Sequence, residues 1–417
     1  MLGALYATCH VPRDLASVTA RAPEGEHDPH AVGVEARAVE AVWRSVIALY
    51  RTGIHPAIQI CVRRDGRVIL HRAIGHARGN GPADSREMRK VRVTTDTPFN
   101  LYSASKAVTA MVVHLLDQRR LLHLDDTISH YIPEYASHGK ARITIRQLLT
   151  HRAGVPSLPR GALDLDHLHD PDWVLRHLIA ARPAWRPGRV LAYHAISGGF
   201  LIGEVVRRIT GKTIRDVLRD EILAPLGFRW GNYGVAPEDV DEVALGYFTG
   251  PPALPPLSTL IERALGMPIA EVVDFTNDPR FLTAIVPGGN VVTTANELSR
   301  FYQLLLDGGE QNGVRIFDPR TIARATSEQS YLELDLTLGF PLRYGIGFML
   351  GASWLSPYGP DTEHAFGHVG FTNVLGWADP ARGVAAALMT SGKPLVYPGL
   401  YHLFEIGRRI GTACSKR

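Results

Sequence analysis

Ser103 and Lys106 stand three residues apart in FNLYSASKAVTAMVVHLL, where a strand-like run gives way to an amphipathic helix. Val108, Met111, Val112, Leu115 and Leu116 recur at helical spacing, which predicts one apolar stripe from about Ser105 and puts Ser103 at the helix opening. Residues three apart share a helix face, so the Lys106 ammonium reaches the Ser103 hydroxyl. The unpaired N–H groups of the first turn point toward any anion formed there. A weak nucleophile thereby gains a base and a positive field, the layout that serves acyl transfer through a serine ester. The same residues also read as an N-cap serine followed by a surface lysine, so the rest of the chain must decide.

The 417 residues are 45% hydrophobic, enough for a large core and too apolar for disorder. That length suggests one large domain with an insertion, or two domains. A net charge of +4 is small for this size and the basic residues are scattered, so nucleic acid is not an expected partner. Cys9, Cys61 and Cys414 have no metal-like spacing and imply no disulfide framework. The opening MLGALYATCHVPRD lacks a basic n-region and a clear cleavage site, from which a cytoplasmic protein is expected. No run is long enough to span a bilayer, so any lipid contact would be peripheral.

Several elements must position the serine. Residues 1–32 are polar and aperiodic and are expected to be a draped tail. Val34, Ala38, Val42, Val46 and Leu49 share a helical face that ends at Gly53, and apolar runs on both sides of Asp65-Gly66 predict a hairpin. Helical patterns dominate from Ser105 to about Gly227, and 250–271 looks like a flexible excursion with a short helix inside it. RYGIGFML, FGHVGFTNVLGWAD and GVAAALMT then read as strands, and GLYHLFEIGRRIG as a closing helix. The expected organisation is a sheet region from 33–104 and 285–417, a helix-rich region over 105–284, and an active site at their junction.

At this point the chain resembles the penicillin-binding-protein and class C β-lactamase superfamily, and within it the family VIII carboxylesterases. Besides Ser103 and Lys106, LLHLDDTISHYIPEY looks like the segment after the nucleophile. ITIRQLLTHRAGVP is similar to the LLTHTSG signature, and PGGNVVTTANELSRFYQLLLDGG resembles the Gly-Gly-loop-helix element. The resemblance spans roughly residues 34–410 and implies an α+β, transpeptidase-like fold: a central antiparallel sheet flanked by helices with a helix-rich insertion.

The family's second catalytic element is a tyrosine on a loop before a helix, and WRPGRVLAYHAISGGFLIGEVVRRITG offers Tyr193. A phenol is a poor base at neutral pH, but a nearby ammonium such as Lys106 favours the phenolate, which would take and return the Ser103 proton; which of the two holds the proton at rest belongs to the coupled pair and is left open by the residues. The other reading is a buried core tyrosine. Two residues further the lactamase pattern has an asparagine, where this chain has Ala195, and the intervening His194 is expected to satisfy a backbone group rather than shuttle protons. The third element, Lys-Thr-Gly in lactamases, is His368, Val369 and Gly370 here. By resemblance, Gly370 lets an acyl group approach the strand edge, the Phe371 amide joins the Ser103 amide as oxyanion donor, and His368 bonds Tyr193 or substrate. These departures favour neutral esters over β-lactams.

DLDHLHD, with Asp164, Asp166, His167, His169 and Asp170, carries metal-capable side chains without a distant partner, so no metal is expected. No cofactor is implied. The glycine pairs Gly198-Gly199 and Gly288-Gly289 lack the surroundings of a phosphate loop and are expected to serve close packing. The expected activity is hydrolysis of a small-molecule ester, possible lipid esters included, through acyl-Ser103. An acyltransferase, a D-alanyl peptidase or weak β-lactamase, and a non-enzymatic binding protein stand as alternatives.

Overall fold

A computed structural model describes residues 6–417 apart from 160, 253, 256, 257, 260, 261, 263 and 264. Ten strands form one antiparallel sheet: β1 (Thr19–Arg21), β2 (Ala57–Arg64), β3 (Arg67–Arg78), β4 (Val91–Arg92), β5 (Ser330–Leu334), β6 (Pro341–Tyr344), β7 (Met349–Leu350), β8 (Phe366–Gly370), β9 (Val374–Asp379) and β10 (Val384–Thr390). Their order is β1-β3-β2-β10-β9-β8-β7-β6-β5, with β4 also paired to β3. The early and late parts of the chain therefore meet where β2 pairs β10.

Asp65 and Gly66 turn β2 into β3 with φ of 53° and 79°, the mirror-image turn that matches strand twist. Along β2 the side chains alternate between two cores. Ile58, Ile60 and Val62 pack under α1 (Ala36–Arg51) and the closing helix, while Ala57 and Cys61 join the core beneath α2 (Ser105–Gln118). On that second face a helix over Ala295–Leu306 lies against small residues. A Cβ at Gly376 would come 2.6 Å from both Leu298 and Tyr302, so only glycine lets the helix sit this close.

A three-stranded ribbon of Phe99–Asn100, Val291–Thr293 and Asn232–Tyr233 ties the helical region to the sheet region. The Leu101 N–H donates to the Val291 carbonyl at 2.8 Å, so the backbone is anchored two residues before Ser103.

Three expectations are corrected. Residues 1–32 are not merely draped: β1 pairs with β3, and the Glu26 carboxylate accepts from Arg72 Nε at 2.8 Å and Nη2 at 2.7 Å. A three-residue edge strand is too short to show a period. RYGIGFML is interrupted between β6 and β7, where Gly347 has φ of 95° and a Cβ would lie 2.2 Å from the Ala110 Cβ in α2. FGHVGFTNVLGWAD divides into β8 and β9 around Phe371, Thr372 and Asn373, the last two at φ of 39° and 71°. The short helix expected inside 250–271 falls partly outside the described residues.

Arg72 is 2% exposed and its charge is met by Glu26 and Glu40. Glu26→Ala leaves one carboxylate for a buried guanidinium and should cost about 1–3 kcal/mol. Urea unfolding measures this; a change below about 0.5 kcal/mol, the surface value, would return the N-terminal segment to a draped role.

Candidate active site

A strained turn presents Ser103. Tyr102 has φ of 50°, a conformation uncommon for a bulky residue, and opens the 3-10 turn Tyr102–Ala104 that runs into α2. Three contacts hold it. Its N–H donates to Asn100 Oδ1 at 3.1 Å, its ring lies 5.6 Å from that of Phe371, and Lys393 Nζ stands 4.5 Å from its ring centroid.

Lys106 Nζ donates to Ser103 Oγ at 3.1 Å and to the Gly288 carbonyl at 2.8 Å. The second contact depends on the glycine pairs. A Cβ at Gly199 would lie 2.4 Å from Gly288 N, so the helix α3 (Ser197–Thr210) can press the Gly288 loop toward α2 only without side chains there. Thr109 Oγ1 fixes the same loop through the Pro287 carbonyl at 2.6 Å. Burial draws the Lys106 pKa down to about 7.

The Ser-x-x-Lys spacing is not sufficient for this. Ser137 and Lys140 repeat it, yet Lys140 is fully buried and spends its donors on the carbonyls of Ile179 (2.8 Å) and Ala181 (2.6 Å) and on Ser137 Oγ (3.3 Å). That lysine clamps a loop.

Tyr193 lies on an extended segment before α3, held from both sides. The Ala192 N–H donates to the His151 carbonyl at 3.0 Å, the His194 N–H to His151 Nδ1 at 3.2 Å, and the Tyr193 N–H to Asp335 Oδ1 at 3.0 Å. The Tyr193 hydroxyl interacts with the Ser103 side chain, and Lys106 Nζ lies 4.9 Å from the centre of the phenol ring. Burial, reinforced by the Asp335 charge, raises the phenol pKa, and the Ser103 contact offsets only part of that. Burial thus works against the phenolate that a nearby ammonium would favour, and against the Lys106 ammonium as well.

Sequence reasoning missed Asp335 and assigned nothing to His151. Asp335 is fully buried; Oδ1 accepts the N–H groups of Tyr193, Thr337 (2.9 Å) and Leu338 (3.0 Å), and Oδ2 the Tyr344 hydroxyl (3.2 Å). No motif marks an aspartate more than a hundred residues from the tyrosine it holds. His151 had a signal, since it sits inside the THRAG segment.

The late strand β8 brings His368 and Gly370 to the same region. His368 Nδ1 pairs with the Val369 carbonyl at 2.8 Å, and its ring centroid is 6.3 Å from that of Tyr193, so the expected bond to Tyr193 is replaced by a local one. A Cβ at Gly370 would lie 2.1 Å from the Leu101 carbonyl oxygen, so this glycine admits the backbone before Ser103. Among the described residues the N–H groups of Ser103 and Phe371 have no acceptor. His194 also departs from expectation: its ring satisfies no backbone group with hydrogen-bond geometry.

Ser103 and Lys106 border different spaces. Ser103 and Tyr102 line an apolar pocket with Leu163, Val272, Phe275 and Phe371, in which no described lining side chain is charged. Lys106 borders a second space, lined among others by His151, His194 and Gly288. The DLDHLHD side chains are engaged elsewhere: Asp166 pairs with Arg280 at 2.5 Å, His167 stacks on Trp173 at 3.8 Å, and Asp170 caps the helix Pro171–Ala180.

The fold is β-lactamase-like, with its antiparallel sheet flanked by helices and the serine at the start of α2. The chain belongs to the beta-lactamase family, whose model matches residues 43–401. Esterase/beta-lactamase LipL of Mycobacterium tuberculosis is 31% identical over 340 residues, 75% of each chain. The crystal structure of a family VIII carboxylesterase matches with a TM-score of 0.75 at 26% identity, covering 90% of this chain and 98% of that one. EstA from Arthrobacter nitroguajacolicus Rue61a gives 0.75 at 25% identity, over 92% and 98%. No helix among the described residues is long and apolar enough to cross a membrane.

Two outcomes follow from this geometry. Asp335→Ala strands three N–H groups and a hydroxyl, so chemical denaturation should show a loss of about 3 kcal/mol or more, with Asp335→Asn milder. Lys106→Met tests the cost of the buried amine. An unfolded lysine keeps its proton to about 10.4, while the folded one loses it near about 7, so wild-type stability rises across that window and the burial cost is greatest below it. The gain in Tm of Lys106→Met should therefore be larger at pH 6 than at pH 9.5.

Proposed function

We propose that the protein is a serine esterase that hydrolyses neutral carboxylic esters through an acyl-Ser103 intermediate. The observation that carries this reading is a serine hydroxyl 3.1 Å from an amine whose pKa burial brings to about 7, bordering an uncharged apolar pocket. An amine half deprotonated near neutrality is a competent base where a surface lysine is not.

The steps follow from the contacts. Ser103 Oγ attacks the ester carbonyl carbon, its proton passes to Lys106 Nζ, and the carbonyl π pair becomes an oxyanion. The Ser103 and Phe371 N–H groups receive that charge. The C–O bond to the alcohol then breaks, the leaving alkoxide takes a proton from the Tyr193 phenol, and the Lys106 ammonium beside that ring reprotonates the phenolate, which leaves the amine neutral. Water then attacks the acyl carbon while neutral Lys106 accepts its proton; the C–Oγ bond breaks, the Lys106 ammonium returns that proton to Ser103 Oγ, and the carboxylic acid leaves.

The names of the family VIII carboxylesterase and of Esterase/beta-lactamase LipL support ester chemistry, the second naming β-lactam chemistry beside it. Two residues favour neutral esters over β-lactams. Ala195 offers no amide to a lactam side chain, and burial together with the Lys106 charge pushes the His368 pKa down to about 3, leaving no cation for a carboxylate.

A panel of p-nitrophenyl esters run beside nitrocefin tests the reading. Ester turnover should exceed nitrocefin turnover by about two orders of magnitude or more, and kcat/KM should fall about tenfold per pH unit below about 7 as Lys106 is protonated. A fluorophosphonate adduct should map to Ser103, and Tyr193→Phe should cost about 10²–10⁴ in rate. Comparable rates on both substrates, or an adduct on another hydroxyl, would sink the proposal.

A further inference from the structure

The cavity behind Lys106 measures about 30 Å³ and is bordered by Thr109, His151, His194, Gly288 and the apolar Leu148 and Ile202. That is room for one or two water molecules, provided the walls offer polar partners. They do. His194 is 2% exposed, and neither of its ring nitrogens has a hydrogen-bond partner among the described residues. The Ala192 carbonyl lies close enough to favour a proton on the ring, without hydrogen-bond geometry, which leaves the other nitrogen as an acceptor.

Lys106 supplies the complementary group. As an ammonium it has three donors, of which Ser103 Oγ and the Gly288 carbonyl take two. His151, the other imidazole on the cavity, already accepts the His194 N–H through Nδ1. His194 thus has the acceptor capacity left over, in a space that Lys106 also borders.

We infer that this cavity is a water site through which His194 accepts a hydrogen bond from protonated Lys106, making His194 a positioning residue for the charged state of the base. The inference rests on the reading of Lys106 as that base. When Ser103 gives up its proton, the new ammonium is a buried cation with no carboxylate beside it. A bridging water that accepts from Nζ and donates to a neutral imidazole supplies its third partner, where a leucine at 194 would leave that N–H unmet.

The groups that face this site identify which of them titrates. Lys106 comes from α2, His151 from the turn after Leu149, His368 from β8, and Tyr193 from the same loop, with Asp335 and Tyr344 behind it. Burial lowers the imidazoles, His194 to about 4 and His368 to about 3, with His151 well below its ordinary value, and it raises both tyrosines. Of these imidazoles, phenols and the amine, Lys106 alone is brought near neutrality.

The test uses His194→Leu and His194→Gln in the full chain, with two readouts. In wild type, ¹⁵N NMR of the His194 ring should show one tautomer, neutral and hydrogen-bonded as an acceptor from pH 5 to 8; this readout needs no activity and survives if the esterase assignment fails. In p-nitrophenyl acetate hydrolysis, His194→Leu should lower kcat about tenfold with KM little changed. It should also move the acid limb of kcat/KM to lower pH by about one unit, because the ammonium has lost a partner worth a charge-assisted hydrogen bond. His194→Gln, which keeps an acceptor, should restore both, and Tm should hold in either variant. A wild-type ring free of any hydrogen bond overturns the inference, as does a leucine variant with an unmoved limb. Equal losses in both variants with a lowered Tm would make His194 merely structural and overturn it too.

Discussion

The desolvation of one lysine governs the candidate site. In water an amine of this kind is protonated until pH 10 or so, and burial without a counter-ion brings Lys106 to about 7. A carboxylate beside it would undo that shift, and among the described residues none pairs with Lys106; Asp335 points its oxygens at backbone N–H groups and at Tyr344. The Gly199 and Gly288 contact closes the protein around the amine while leaving a carbonyl to hold it in place. Lys140 has the same spacing to a serine but spends its donors on a loop, so spacing alone does not put a lysine in the surroundings that Lys106 has.

Strain on the other side of Ser103 serves the same end. Tyr102 is kept at positive φ by an asparagine, a phenylalanine and a buried lysine, and Gly370 lets β8 approach the Leu101 carbonyl. The sheet therefore bears directly on the turn that carries the serine. A change of one methyl group in β8 would reach the reacting hydroxyl through backbone contacts alone.

Two buried polar groups set the tyrosine. Asp335 and His151 each take backbone donors from the Tyr193 segment, fixing its height above Lys106 without touching the hydroxyl. In the proposed reaction the phenol serves proton return and the amine proton removal, a division in line with the direction in which burial moves each group. Burial pushes the two pKa values in opposite directions because it penalises the charged form of each, an ammonium in one case and a phenolate in the other.

Much of this was legible in the residues themselves. The period of 3.6 after Ser105, the Asp65-Gly66 turn between apolar runs and the ordered motifs located α2, the β2–β3 hairpin and the chain segments carrying Ser103, Lys106, Tyr193 and His368. Local pattern reports local structure, because side-chain period and turn chemistry act over a few residues. What it left out was non-local. The edge strand β1 is too short to show a period, Asp335 reaches Tyr193 across 142 positions, and Gly370 meets a carbonyl from the far end of the chain. The pull of burial on Lys106 and Tyr193 was equally invisible in the sequence, because desolvation depends on how completely the packed chain excludes water and is a property of the folded whole.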